Sequence, residues 1–177
     1  MKIALYLGSF NPFHNGHLEV IKTALNDFKM DKVVIVPTMQ NPWKKEKVLD
    51  IDKRSNIIKG SIYYEFLRDE TFIGPYISIS KIEKELIPPY YSYATLHALK
   101  NKYCNDEVFV LCGEDTIKDI PDWMNGGAII QDYNFLIVDR PKDSISSSYI
   151  RDMIKKGETI KEYVSPIVVN LIKKYYI

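Results

Sequence analysis

Residues 2–28 read KIALYLGSFNPFHNGHLEVIKTALNDF, and residues 32–37 read KVVIVP. The apolar run of residues 3–7 stops at Gly8, after which Leu18, Ile21, Leu25 and Phe28 recur at helical spacing. KVVIVP is apolar and β-branched at consecutive positions, as a parallel strand buried on both faces should be. The segment is therefore strand, loop, helix, strand, and a β-α-β unit of this kind implies a parallel sheet with helices packed on its faces.

The alternation continues along the chain. The polar stretch TMQNPWKKEKVLD (38–50) leads into a helix expected over about 52–67, and FIGPYISIS (72–80) reads as a third strand. Pro88 and Pro89 break the chain before a helix over about 91–102, then EVFVLC (107–112) and NFLIVDRP (134–141) supply two more strands. Beyond Arg140 the pattern is helical, with one segment near 147–156 stopped by Gly157 and another over 165–175. The expectation is an α/β, Rossmann-like, doubly wound parallel sheet of about five strands in a single domain spanning 1–177. Its strand-helix core occupies about 1–141, and a helical C-terminal part about 142–177. In such sheets ligands sit beyond the carboxyl ends of the strands, where LGSFNPFHNGHL falls.

Composition narrows the function classes. With 177 residues, 46% of them hydrophobic, the chain can bury a core of its own. Lys and Arg number 24 against 23 Asp and Glu, so the net charge of +1 offers no general attraction to nucleic acid or an anionic membrane. Any anion site must be local. Cys104 and Cys112 form no CxxC pair and no disulfide framework, which makes a reducing cytoplasm the default. No window approaches the roughly 20 apolar residues of a membrane span, and the N-terminal apolar run is too short for a signal-peptide core.

The opening loop carries the chemistry. Gly8 after the strand and Gly16 at the helix start would let backbone approach a ligand, with helix N–H groups facing an anion. His14 and His17 stand at the same helix end, placed to bond phosphate oxygens and stabilise charge growing in a transition state. Either alone could be a plain surface residue. A zinc site lacks ligands, since His97 is the only other histidine and both cysteines are distant in sequence, so no protein metal site is expected. Near the C-terminus, ISSSYIR (145–151) places Ser147 and Ser148 at a helix start with Arg151 one turn on, a serine cap that could equally serve a triphosphate.

GSFNPFHNGH resembles the G-x-F-x-P-x-H-x-G-H signature of the nucleotidyltransferase superfamily, and ISSSYIR resembles its I-S-S-T-x-I-R motif. Three further stretches are similar to the bacterial nicotinate-nucleotide adenylyltransferases: VPTMQNPWK to V-P-x-x-x-P-P-H-K, PYYSYATL to P-S-Y-T-x-D-T-L, and VLCGEDTIKDIPDW to I-I-G-x-D followed by L-P-x-W. The resemblance implies transfer of AMP from ATP to nicotinate mononucleotide, giving deamido-NAD and pyrophosphate, with Mg2+ carried on the ATP phosphates. It implies catalytic roles for His14, His17, Lys44 and Arg151. ATP would be met by Gly8, Ser9, Phe10, His14, Gly16, His17, Gly113, Asp115, Ser147, Ser148 and Arg151. The pyridine nucleotide would meet Ser9, Phe10, Lys44, Arg54, Tyr91, Ser92, Trp123 and Arg140.

The match departs from the family at Asn41, Trp43, Tyr90, Ala94 and Glu114. An acidic Glu114 pointing into the site would disfavour an anionic nicotinate, which leaves nicotinamide mononucleotide open as acceptor. Phosphopantetheine adenylyltransferase and a catalytically silent nucleotide-binding protein are the alternatives. The aromatics of the closing KKYYI are either an interface, making a homo-oligomer possible, or the packing face of a terminal helix.

Overall fold

The structure is a computed structural model that describes residues 1–40, 47–69, 76–139 and 145–177. Its centre is β1 (Lys2–Gly8), flanked by β2 (Lys32–Pro37) and β4 (Glu107–Gly113), with β3 (Ile77–Ile79) and β5 (Asn134–Val138) at the edges. All pairings are parallel, in the order β3-β2-β1-β4-β5. Seven helices flank the sheet among the described residues: α1 (Asn15–Asn26), α2 (Ile51–Arg68), α3 (Ser92–Lys102), α4 (Glu114–Asp119), α5 (Gly126–Asp132), α6 (Ser147–Lys155) and α7 (Val169–Tyr176).

The unbroken apolar runs follow from this layering. Successive strand residues point to opposite faces, so Ala4 and Tyr6 of β1 enter one core while Ile3 and Leu5 enter the other. The first core joins Val33 and Ile35 to α1, α2, α6 and α7 through Ile21, Ile58, Ile150 and Ile172. The second joins Val34 and Val36 to α3 and α5 through Leu96, Leu99 and Ile129. Tyr175 and Tyr176 pack against the first core, so the closing aromatics serve the packing of a terminal helix.

Local chemistry sets the element ends. Helix α2 begins one residue earlier than expected because Asp50 caps it, its Oδ1 accepting the Asp52 N–H at 2.9 Å and the Lys53 N–H at 3.2 Å. Helix α6 is capped by Ser146, which accepts the Tyr149 N–H at 3.2 Å, and stops at Gly157 as expected. The last helix is preceded by a 3-10 turn at Pro166–Val168. The third strand is only Ile77–Ile79, half-buried at the sheet edge. Helices α4 and α5 lie in the stretch between β4 and β5 where none was expected; α4 buries no residue, so it leaves no apolar stripe in the sequence. No helix among the described residues is long and apolar enough to cross a membrane.

From β1 the chain winds outward through β2 and β3, and α3 then carries it back to β4 on the other side of β1. The direction of winding reverses between β1 and β4, and the crevice lies beyond their carboxyl ends, at Gly8 and Gly113.

Candidate active site

A cavity of about 590 Å³ opens at this switch point, within the roughly 300–1,000 Å³ range of ligand sites. Gly8, Ser9, Phe10, His14 and His17 line it from the β1–α1 loop, Ser147, Ser148 and Arg151 from α6, Gly113 and Asp115 from the end of β4, Tyr91 and Ser92 from the start of α3, and Trp123 from the turn after α4. Most of the residues singled out in the sequence thus converge on one space. Lys44 and Arg140 lie outside the described residues.

The loop of residues 9–14 is built around aromatic packing. Phe10 sits in the left-handed region at φ 46° and is 1% exposed, its ring meeting Tyr6 edge-on at 5.1 Å. That conformation costs a β-carbon-bearing residue roughly 1–2 kcal/mol, which burial of an aromatic ring offsets. A Cβ on Gly8 would come within 3.0 Å of the Phe10 ring, and one on Gly16 within 3.1 Å of the His14 ring. Gly16 lies outside the cavity lining, where its lack of a side chain makes room for the imidazole of His14.

The two histidines stack, with ring centroids 3.7 Å apart, and His17 is further held against Phe13 at 5.2 Å and Phe10 at 4.9 Å. His14 occupies the N-cap of α1, and its backbone N–H donates to His17 Nδ1 at 3.1 Å. A backbone N–H can only donate, so that nitrogen is unprotonated and the ring proton resides on Nε2. His17 is accordingly a fixed hydrogen-bond donor with its other nitrogen committed to the backbone.

Side chains from distant elements tie the loop down. Arg54, 1% exposed, donates through Nε to the Leu49 carbonyl at 2.6 Å and through Nη1 to the Ser9 carbonyl. Burial pushes its guanidinium below the usual arginine range. Arg54, for which the resemblance implied contact with a pyridine nucleotide, lies outside the cavity lining and bonds the Ser9 carbonyl from beneath. Ser147 Oγ donates to the Pro12 carbonyl at 2.8 Å. Arg151 donates through Nη1 to the Asn11 carbonyl at 2.6 Å and through Nη2 to Ser148 Oγ at 3.1 Å, bonds that orient its fork at the cavity wall. Asn11 Oδ1 accepts from Tyr176 Oη at 2.7 Å and from the Leu49 N–H at 3.2 Å.

The opposite wall contains residues the sequence did not announce. Glu83, in a 3-10 turn at Ile82–Glu85, is 1% exposed; its carboxylate accepts the Met39 N–H and the Thr95 hydroxyl, the latter at 2.7 Å. Burial raises its pKa, and the two hydrogen bonds only partly oppose that shift. Glu83 therefore joins the end of β2 to the first turns of α3, whose start at Tyr91 and Ser92 faces the cavity with Tyr90 beside it. Trp123 is half-buried, packed against the second core while also lining the cavity. Asp115 lines the cavity from the first turn of α4, whereas Glu114 is exposed, pairs with Lys118 at 3.3 Å and does not line it. Ala94 is exposed and also lies outside the lining.

Comparisons with known proteins give the family. The family model described as cytidylyltransferase-like matches residues 5–153. A protein of Clostridium tetani named "Probable nicotinate-nucleotide adenylyltransferase" is 30% identical over 98% of this chain and 97% of its own. The chain belongs to the nicotinate-nucleotide adenylyltransferase family. A relative from Flavobacterium johnsoniae bearing the same name is 32% identical over 95% of this chain and 94% of its own. The Plasmodium falciparum nicotinic acid mononucleotide adenylyltransferase complexed with NaAD superposes with a TM-score of 0.78 at 22% identity, covering 99% of this chain and 96% of that one. The nicotinate-nucleotide adenylyltransferase fold is thus shared end to end, and residues of the GSFNPFHNGH and ISSSYIR stretches line the same cavity.

Proposed function

We propose that the protein transfers the AMP part of ATP to nicotinate mononucleotide, forming deamido-NAD and releasing pyrophosphate. The observation that carries this reading is the lining of the cavity at the switch point: histidines, a helix start and an arginine on one side, and an indole with the start of α3 on the other. A nucleoside triphosphate suits the first side and a pyridine nucleotide the second. Helix starts present N–H groups without intrahelical acceptors, a favourable setting for phosphate at α1 and α6 and for a carboxylate at α3. The outward pairing of Glu114 removes the charge that would have opposed nicotinate.

In the reaction, an oxygen of the acceptor's phosphate attacks the α-phosphorus of ATP. One P–O bond forms as the bond to the β-phosphate breaks, and the electron pair leaves with pyrophosphate. The nucleophile is already anionic, so no strong base is needed and the chain's work is alignment and charge stabilisation. Nε2 of His17, with His14 beside it, donates to an α-phosphate oxygen, while Arg151 and Lys44 meet the leaving group. Trp123 stacks on the pyridine ring and Asp115 accepts from a ribose hydroxyl. Arg140 completes the phosphate contacts. Mg2+ arrives on the triphosphate as part of the substrate and neutralises charge there.

The test is pyrophosphate release from ATP and Mg2+ with nicotinate mononucleotide, nicotinamide mononucleotide or phosphopantetheine as acceptor. Turnover is expected with the first and much less with the others. A preference for nicotinamide mononucleotide would overturn the base assignment, and silence with all three would overturn the enzymatic reading.

A further inference from the structure

Tyr176 lies at the end of α7, far in sequence from the opening loop, yet its hydroxyl donates to Asn11 Oδ1 at 2.7 Å. Asn11 is 4% exposed and lines the cavity between Phe10 and His14. Its carbonyl takes the Arg151 guanidinium at 2.6 Å, and its Oδ1 has one further donor, the Leu49 N–H, at the longer distance of 3.2 Å. One residue thus links three elements to the loop that presents His14 and His17. The ring of Tyr176 packs against the first core, which gives the hydroxyl a rigid support. Burial raises the phenol's pKa above the ordinary tyrosine range, which keeps the hydroxyl proton in place at neutral pH.

We propose that Tyr176 is a positioning residue for adenylyl transfer, its hydroxyl fixing Asn11 and, through the Asn11 carbonyl, the fork of Arg151. The proposal rests on the functional reading above. Arg151 is held to the loop by a bond to a backbone carbonyl, and its aim is only as steady as the peptide that carries that carbonyl. Without the phenol hydroxyl, Asn11 Oδ1 keeps, among the described residues, the longer bond to Leu49, and the loop loses its tie to the core through α7. A residue acting in this way affects the step at which charge moves to the leaving group more than it affects ground-state binding.

Tyr176→Phe removes the hydroxyl and keeps the ring, so the packing of α7 survives. With ATP and nicotinate mononucleotide, kcat should fall roughly 5- to 20-fold, a modest share of the ~100-fold loss that a 1 Å misplacement can cause, with KM for both substrates changing less than about threefold. Asn11→Ala should lower kcat as well, and adding Tyr176→Phe to it should cause no further loss, because the hydroxyl acts through Asn11. Unchanged kcat in Tyr176→Phe, an effect confined to KM, or losses that multiply in the double variant would each overturn the proposal. Wild-type protein silent with every acceptor would overturn the functional reading and this inference with it, whereas an active wild type matched by Tyr176→Phe overturns the inference alone.

Discussion

Replacing Arg54 by methionine isolates the contribution of a buried cation that touches no ligand. Methionine fills most of the volume of the arginine stem but donates no hydrogen bond, so the Leu49 and Ser9 carbonyls lose their partner. A hydrogen bond from a charged donor contributes about 1.5–3 kcal/mol, which sets the loss from two bonds at about 3–6 kcal/mol. Removing a desolvated guanidinium returns part of this, because burial already disfavours the charged form. The net destabilisation is expected at about 2–4 kcal/mol, near the upper end for single substitutions. For a domain of this size each kcal/mol lowers Tm by about 2–4 °C, so calorimetry should record a fall of roughly 5–15 °C. Turnover should fall at temperatures where the variant is still folded, since Ser9 and the loop behind it lose their strut. Arg54→Lys should recover less than half the loss, because a single ammonium cannot reach two carbonyls along divergent directions as a planar fork does. A Tm within 2 °C of wild type, together with normal kcat, would refute the reasoning and make Arg54 a passenger in its helix.

Two further predictions concern the cavity walls. His17→Ala should reduce kcat by about 100- to 1,000-fold if Nε2 donates to the transition state, and His17→Gln, whose amide can reach a similar position, should retain more activity than His17→Asn; pyrophosphate-release kinetics on the three variants test the order. Glu83 has a folded-state pKa above its unfolded value, so its contribution to stability is greatest at acid pH, below the ordinary glutamate range, and is lost as pH rises through the folded value. The melting temperature of wild type relative to Glu83→Gln should therefore be highest in acid and decline toward neutral pH. A difference independent of pH would remove the burial argument.

The sheet was legible because burial on both faces writes itself into sequence as runs such as IALYL and KVVIVP, and the loop because its glycines and histidines cluster in a few residues. Resemblance reports position along a motif, and Trp123 and Ser147, singled out in that way, both line the cavity. Resemblance could not say which way a side chain points. Arg54, named from the sequence only through the resemblance, lies on the face of α2 that also buries Ile51, Ile57 and Ile58. Glu65 occupies the same face and is explained by Lys22 at 2.6 Å and Arg68 at 2.7 Å. Glu83 stood in the charged string KIEKEL, which reads as a solvated turn; only the packing of α3 over it creates the buried carboxylate. The helices after β4 escaped notice for the converse reason, since a short helix with little buried surface has no periodic signal.

The bonds to the loop's carbonyls share an electrostatic logic. A site for polyphosphate must keep carbonyl oxygens from facing its ligand, because like partial charges repel in a partly desolvated space. Along the loop, the Ser9 carbonyl is met by Arg54, the Asn11 carbonyl by Arg151 and the Pro12 carbonyl by Ser147. Each bond occupies a negative dipole with a donor, and two of the three donors bring a full positive charge beneath or beside the cavity. The field of the buried Arg54 guanidinium has little water to screen it and favours negative charge at the loop above. The same bonds hold the loop rigid, so His17 is already aligned when charge develops and little reorganisation is needed at that moment. A chain with net charge +1 can in this way hold a strongly anionic substrate at one place. Among the described residues, two of its cations, Arg54 and Arg151, meet carbonyls of that one loop.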